Sequence, residues 1–212
     1  MTKGMLITFE GGEGAGKSTL IKHLAQEMES LGYSILCTRA PGSLRIGEKI
    51  RDLLLHSDLG EITPKTELFL FLADRASHVD HEIRPALEMD KIVLCDRFND
   101  STVAYQGMAR GLGEDEVEKL CTFACSGLKP DLTFYLDIDP ALGLQRATSV
   151  ANSDRIESET LAFHQRIREA YQHIAKKEPK RVYLIDAKQP PEHVYKQAWD
   201  LLKPRLLHVA RT

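Results

Sequence analysis

No apolar run in this 212-residue chain approaches the length of a membrane-spanning helix. The opening MTKGMLITFEGG holds only a few apolar residues in succession, too few for a secretory leader, so a cytoplasmic protein is expected. Charge of one sign is equally scarce: 28 Lys and Arg stand against 31 Asp and Glu, a formal net charge of -3. That balance gives no bulk attraction to nucleic acid or to a membrane surface, and any polyanion must be held locally. Cysteine is sparse too. Cys37, Cys95, Cys121 and Cys125 contain no CxxC pair, and His78 and His81 in HVDH have no third ligand, so neither a zinc site nor a disulfide framework is expected. Repeats, low-complexity tracts and linkers are also missing, which leaves one domain over residues 1–212.

What the chain does have is five short apolar runs rich in β-branched and aromatic residues. They are MLITFE (5–10), YSILCTR (33–39), KIVLCD (91–96), DLTFYLD (131–137) and RVYLID (181–186), and each reads as a buried strand. Helix-length segments lie between them: 17–31, 64–88 after the cap residue Thr63, 164–177, and a last amphipathic stretch over 191–207. Strands alternating with helices predict an α/β fold, a five-stranded parallel sheet flanked by helices on both faces. In such a sheet ligands bind beyond the carboxyl ends of the strands, and the distinctive segments of this sequence stand there.

The first of them is GGEGAGKS, Gly11 to Ser18, which fits G-x-x-x-x-G-K-[ST] between a strand and a helix and marks a P-loop NTPase fold. Gly11, Gly12, Glu13, Gly14, Ala15 and Gly16 would turn backbone N–H groups toward phosphate oxygens. Lys17 supplies a point charge, Ser18 a ligand for Mg²⁺, and Thr19 the first turn of the helix behind them. A glycine-rich turn matched by chance is the bland alternative, and the flanking strand and helix weigh against it. The second is Asp96-Arg97. Asp96 is placed to hold the Mg²⁺ water shell and Arg97 to reach a phosphate, though such a pair can also be a structural ion pair.

The runs DRFNDSTVAYQGMARGLG (96–113) and FLFLADRASH (69–78), with FEGGEGAGKST, TRAPG, IRDLLL, KPDLTFYLD, DRIE and IDAKQP in order, resemble the bacterial branch of the thymidylate kinases over essentially the whole chain. The resemblance implies transfer of the γ-phosphoryl of ATP to dTMP with Mg²⁺, by a homodimer. Carried over by position, Arg97 and Arg51 would meet the dTMP phosphate, Phe71 would stack on the base and Arg75 would bond its edge. Thr102 and Gln106 would meet the rest of the ring, Tyr105 the sugar, and Glu13 the 3′-hydroxyl. Read alone, Phe71 is as well explained as core, Arg51 as a solvated helix charge, and Thr102 with Gln106 as a helix-surface pair; Phe71 and Arg75, four apart, share one helical face. Ala187, with Lys188 and Gln189, would lie against adenine.

Two segments depart from the family pattern. TRAPGS carries Ala40 where an acidic residue is usual and Ser43 where a second glycine is usual, and the lid expected over 146–157 offers only Arg146 and Arg155. Arg155 is assigned here to the transferring phosphoryl, beside Lys17, Arg97 and Asp96 as the catalytic set, and Arg146 to the ATP side. Two other readings remain at this point: a kinase for another pyrimidine monophosphate such as dUMP, and a nucleotide-binding regulatory module with degenerate chemistry.

Overall fold

All six residues of MLITFE are buried, and a strand with no wet side belongs inside a sheet covered on both faces. A computed structural model, which describes residues 4–56, 62–148 and 155–209, places it there. β1 (Met5–Glu10) is followed by α1 (Lys17–Ser30), β2 (Ile35–Arg39), α2 (Arg45–His56) and α3 (Pro64–His78). A π-helical turn, Val79–Ile83, leads into α4 (Arg84–Glu88), then β3 (Ile92–Asp96) and α5 (Asn99–Thr102), which runs on as a second π-helical stretch, Val103–Ala109. The order closes with α6 (Glu114–Ala124), β4 (Leu132–Asp137), α7 (Pro140–Thr148), α8 (Leu161–Lys177), β5 (Val182–Asp186), α9 (Pro191–Leu202) and a 3-10 turn, Lys203–His208.

The strands lie in the order β2-β3-β1-β4-β5, every pair parallel. Phe9 stands opposite both Asp96 and Phe134, Arg39 opposite Asp96, and Asp137 opposite Asp186. This register brings Glu10, Arg39, Asp96 and Asp137 to one edge of the sheet. The chain fills one side of β1 and then the other, so the loop after β1 sits at the switch point where a parallel sheet opens a crevice. On one face Leu20, Leu24 and Met28 of α1 and Ala198 and Leu202 of α9 pack with Ile7, Phe9 and Phe134. On the other, Leu72, Val117, Phe163 and Ile167 pack around Tyr135 and Tyr171. Each such Leu, Ile or Phe contributes roughly 1.5–3 kcal/mol by leaving water.

The sequence expectation did not include α2, α6 or α7 and began α8 three residues late, and three further elements start, bend or end differently. β2 begins at Ile35 because Gly32, at φ 85°, turns the chain, and Tyr33 instead sends its hydroxyl to the Leu206 carbonyl at 3.1 Å. The long helix after Thr63 widens to a π turn just before Pro85, whose ring has no N–H and crowds the carbonyl four residues back. The last helix stops at Leu202, where Pro204 tightens the chain into the 3-10 turn. Among the described residues no helix is long and apolar enough to cross a membrane.

Candidate functional site

The loop after β1 is shaped by close backbone contacts. A side chain at Gly14, φ 64°, would put Cβ 2.0 Å from the Gly143 carbonyl, and one at Gly11, φ 142°, would put it 2.6 Å from that of Leu136. Only glycine fits either place. Lys17 bends back over the loop, and Nζ donates to the carbonyls of Gly11 (3.1 Å) and Gly12 (2.9 Å). Burial, and then Arg97, lowers its pKa, while Glu13 pulls it back up. Beyond the lysine, Ser18 Oγ donates to Asp96 Oδ2 at 3.1 Å, which brings a hydroxyl and a carboxylate from two elements to one point. These are hard oxygens of the kind Mg²⁺ takes, one or two from protein and the remainder from water and phosphate. No cluster of three or more metal-binding side chains occurs among the described residues.

Two cavities meet across this loop. The larger, about 490 Å³, runs along Gly14, Gly16 and Thr19 to Arg146, Ala187 and Gln189, with Arg146 Nη1 donating to the Ala187 carbonyl at 3.0 Å. The smaller, about 120 Å³, lies on the other side of Glu13 and gathers Arg51, Phe71, Arg75, Arg97, Thr102, Tyr105 and Gln106. Every residue expected against an acceptor therefore converges on one space, with Ala40 in its wall.

Arg97 lines the smaller cavity beside the phosphate loop. It adopts a left-handed backbone, φ 68°, fixed by its N–H to the Phe9 carbonyl at 3.0 Å. The side chain then donates to the Gly11 carbonyl at 3.1 Å and pairs with the Glu13 carboxylate. Burial pushes the Glu13 pKa up, but Arg97 and Lys17 outweigh it and hold the carboxyl below the usual range. Tyr105 joins the pair through its hydroxyl, 3.3 Å from Glu13 Oε1. Arg75 is 2% exposed, lies over the Phe98 ring at 4.6 Å and donates to the Arg97 carbonyl at 3.3 Å; its Nε is buried with no partner. Arg51 donates to the Pro41 carbonyl at 3.2 Å, and the Gly42 N–H is held by Asp74 at 3.1 Å, so TRAPGS is tied down from two helices.

Gln106, in the cavity wall, and Arg155 both bond to Glu67. Gln106 gives its amide to Glu67 Oε1 at 2.7 Å, and Arg155 donates to Glu67 Oε2 at 2.6 Å and to the Leu54 carbonyl at 2.8 Å rather than to the phosphate loop. Residues 149–154 of the expected lid lie outside the described residues. Glu67, which also receives Arg110 at 3.2 Å, is a site residue that sequence reasoning missed. Its signal was the spacing 67, 71, 75, which sets it on the helix face shared by Phe71 and Arg75. Glu10 was missed as well: fully buried at the end of β1, it accepts from the Phe98 N–H (2.7 Å), Ser101 (2.5 Å) and Tyr171 (3.1 Å), and burial, then Asp100, raises its pKa.

A glycine cradle at a parallel-sheet switch point, a lysine bent over it, and a second cavity lined with guanidinium groups define a P-loop phosphotransferase class. The family model for thymidylate kinase matches residues 9–198. The thymidylate kinase of Protochlamydia amoebophila is 45% identical over 209 residues, 95% of this chain and 93% of that protein. That of Desulfovibrio desulfuricans is 48% identical over 200 residues, 91% and 92%. The crystal structure of thymidylate kinase from Ehrlichia chaffeensis superposes with a TM-score of 0.78 at 31% identity, covering 94% of this chain and 98% of that one. This chain belongs to the thymidylate kinase family.

Proposed function

We propose that the enzyme transfers the γ-phosphoryl group of ATP to dTMP, giving dTDP and ADP. The observation that carries the reading is the pair of cavities separated by Glu13, one running along the phosphate loop and the other closed by arginines and an aromatic wall. ATP lies along Gly14, Gly16 and Thr19 with adenine toward Ala187 and Arg146. Lys17 exchanges the Gly11 and Gly12 carbonyls for phosphate oxygens. dTMP enters the smaller cavity, its ring on Phe71 and its edge toward Arg75, Thr102 and Gln106. Tyr105 and Glu13 bound its sugar. Arg51 and Arg97 take its phosphate, and the Glu13 carboxylate keeps the Arg97 fork aimed between the two substrates. Ser18 and Asp96 would hold Mg²⁺, which when bound neutralises the charge of the triphosphate. The protein's own contribution is placement and charge: it holds two polyanions in line and keeps water away from the transferring group.

In this reading Arg155 exchanges Glu67 for the transferring phosphoryl. The proposed assembly is a homodimer, supported by the apolar side chains that the neighbouring helices α2, α3 and α6 leave exposed, Leu53 at 46%, Phe69 at 59% and Phe123 at 87%. The decisive experiment is ADP release from ATP and Mg²⁺ with dTMP, dUMP, UMP, CMP, AMP and GMP, beside Lys17→Ala. Fast release confined to dTMP, weaker release with dUMP and none from Lys17→Ala is the expected outcome. A methyl group in an apolar wall separates the two deoxynucleotides by roughly 1–3 kcal/mol. Release that no acceptor stimulates would overturn the proposal.

A further inference from the structure

His164 is 5% exposed, and its Nε2 is buried with no hydrogen-bond partner. It points into a narrow cavity of about 20 Å³ behind the phosphate loop, bounded by Gly12 and Glu13 on one side, Tyr135 and Leu144 on another, and Arg168 beyond. The other polar side chains of this space are engaged. Arg168 donates twice to Asp137, at 2.8 and 2.9 Å, and Tyr135 gives its hydroxyl proton to the same carboxylate at 2.7 Å. Gly12 accepts Lys17 Nζ, yet a carbonyl has a second lone pair. Elsewhere α8 fills its inward face with Phe163, Ile167 and Ile174, side chains that leave no nitrogen unanswered. A cavity of this size has room for about one water, provided polar partners surround it.

We propose that His164 is a positioning residue of the phosphate loop, its Nε2 holding one water against the backbone of Gly12 and Glu13. The loop needs such backing there. Glu13 already lies in close approach to α7, where a Cβ on Gly143 would stand 2.4 Å from the Glu13 carbonyl. The bridge from α8 completes the support, fixing both the carbonyl that parks Lys17 and the residue whose carboxylate aims Arg97. Its effect on rate rests on the phosphotransfer reading, whereas its effect on the loop does not.

The test compares His164→Phe, which removes the polar atom, with His164→Gln, which keeps one at similar reach; His164→Met replaces the first if it fails to fold. Turnover, KM for dTMP and hydrogen exchange of the peptide covering residues 10–17 are measured on each full-length enzyme. His164→Phe should lower kcat roughly tenfold, leave KM within about twofold and speed exchange of the loop, because small misplacements of a catalytic frame act on rate. His164→Gln should recover most of both effects. Equal losses in the two variants would reduce His164 to a matter of shape, and unchanged kcat with unchanged exchange in His164→Phe would overturn the proposal. Exchange that responds in a protein showing no dTMP-stimulated turnover upholds the loop contact and sinks the functional reading instead.

Discussion

His78 is fully buried beneath β2, its Nε2 2.8 Å from Thr38 Oγ1, and Thr38 passes its own proton to Glu82 at 3.0 Å. This network fits a neutral ring with the proton on Nε2. Glu82 lies 3.2 Å from the same nitrogen, but burial first, and then Arg75, outweighs it and lowers the pKa from 6.5 to about 3. The unfolded chain therefore binds one more proton than the folded one between those values. The stability that His78 contributes is complete above pH 6.5 and is lost as pH falls toward 3, at about 1.4 kcal/mol per pH unit. Urea unfolding at pH 7 and pH 5 should show that slope, and His78→Gln should flatten it; an equal slope in the variant would assign it to another group. At Gln106 the structure changes what a substitution means. Gln106→Glu sets a carboxylate against buried Glu67, so the melting midpoint should drop along with a rise in KM for dTMP. A variant with raised KM and an unchanged midpoint would contradict that pairing. The helix face carrying Phe71 and Arg75 was legible from their spacing, but the Glu67 partnership joins residues 39 positions apart and leaves no trace in local pattern.

Among the elements, α8 backs the site without lining either large cavity: Phe163 meets Tyr105 edge-on at 6.3 Å, His164 lies behind the phosphate loop, and Tyr171 reaches Glu10 at 3.1 Å. Its first turn is capped by Thr160, whose hydroxyl accepts the Phe163 N–H at 3.3 Å. Thr160→Ala should cost about 1 kcal/mol of unfolding free energy in a urea titration, and Thr160→Ser should restore most of it. The central strands β1, β3 and β4 were readable because runs buried on both faces are apolar throughout. By contrast β2 and β5, expected to be buried, are the edge strands and partly exposed. The helices between the strands were less readable. α6 follows Gly113, φ 97°, with no side-chain cap, so its start is marked by the acidic first turn Glu114, Asp115 and Glu116 alone. α7 contains Gly143, a poor helix former whose reason lies elsewhere in the fold, in the close approach of the Glu13 carbonyl.

For the molecule as a whole, the parallel register gathers charge at one edge, and acid should act there. Glu13 and Glu67 are held below their ordinary 4.5 against the upward push of burial, by Arg97 and Lys17 in one case and by Gln106, Arg110 and Arg155 in the other. Their contribution is present above pH 4.5 and is lost as pH falls through the lowered values; Glu10, raised, pulls the other way. The proposed dimer gives a further prediction at this scale: Phe123→Asp, on a side chain 87% exposed, should shift sedimentation toward the monomer. A variant that sediments like the parent would remove α6 from that interface. The thiols add a practical consequence. Cys95, Cys121 and Cys125 are buried and Cys37 is exposed, in the groove that also holds Ser18 and Asp96. A maleimide dye would therefore attach at one known position of the unmutated enzyme, along the groove that carries Ser18 and Asp96. Burial, and then Glu29, raises the Cys37 pKa, so mildly alkaline labelling is called for. Titrating ATP against such a dye should change its emission, and a flat titration would place nucleotide away from the Cys37 groove.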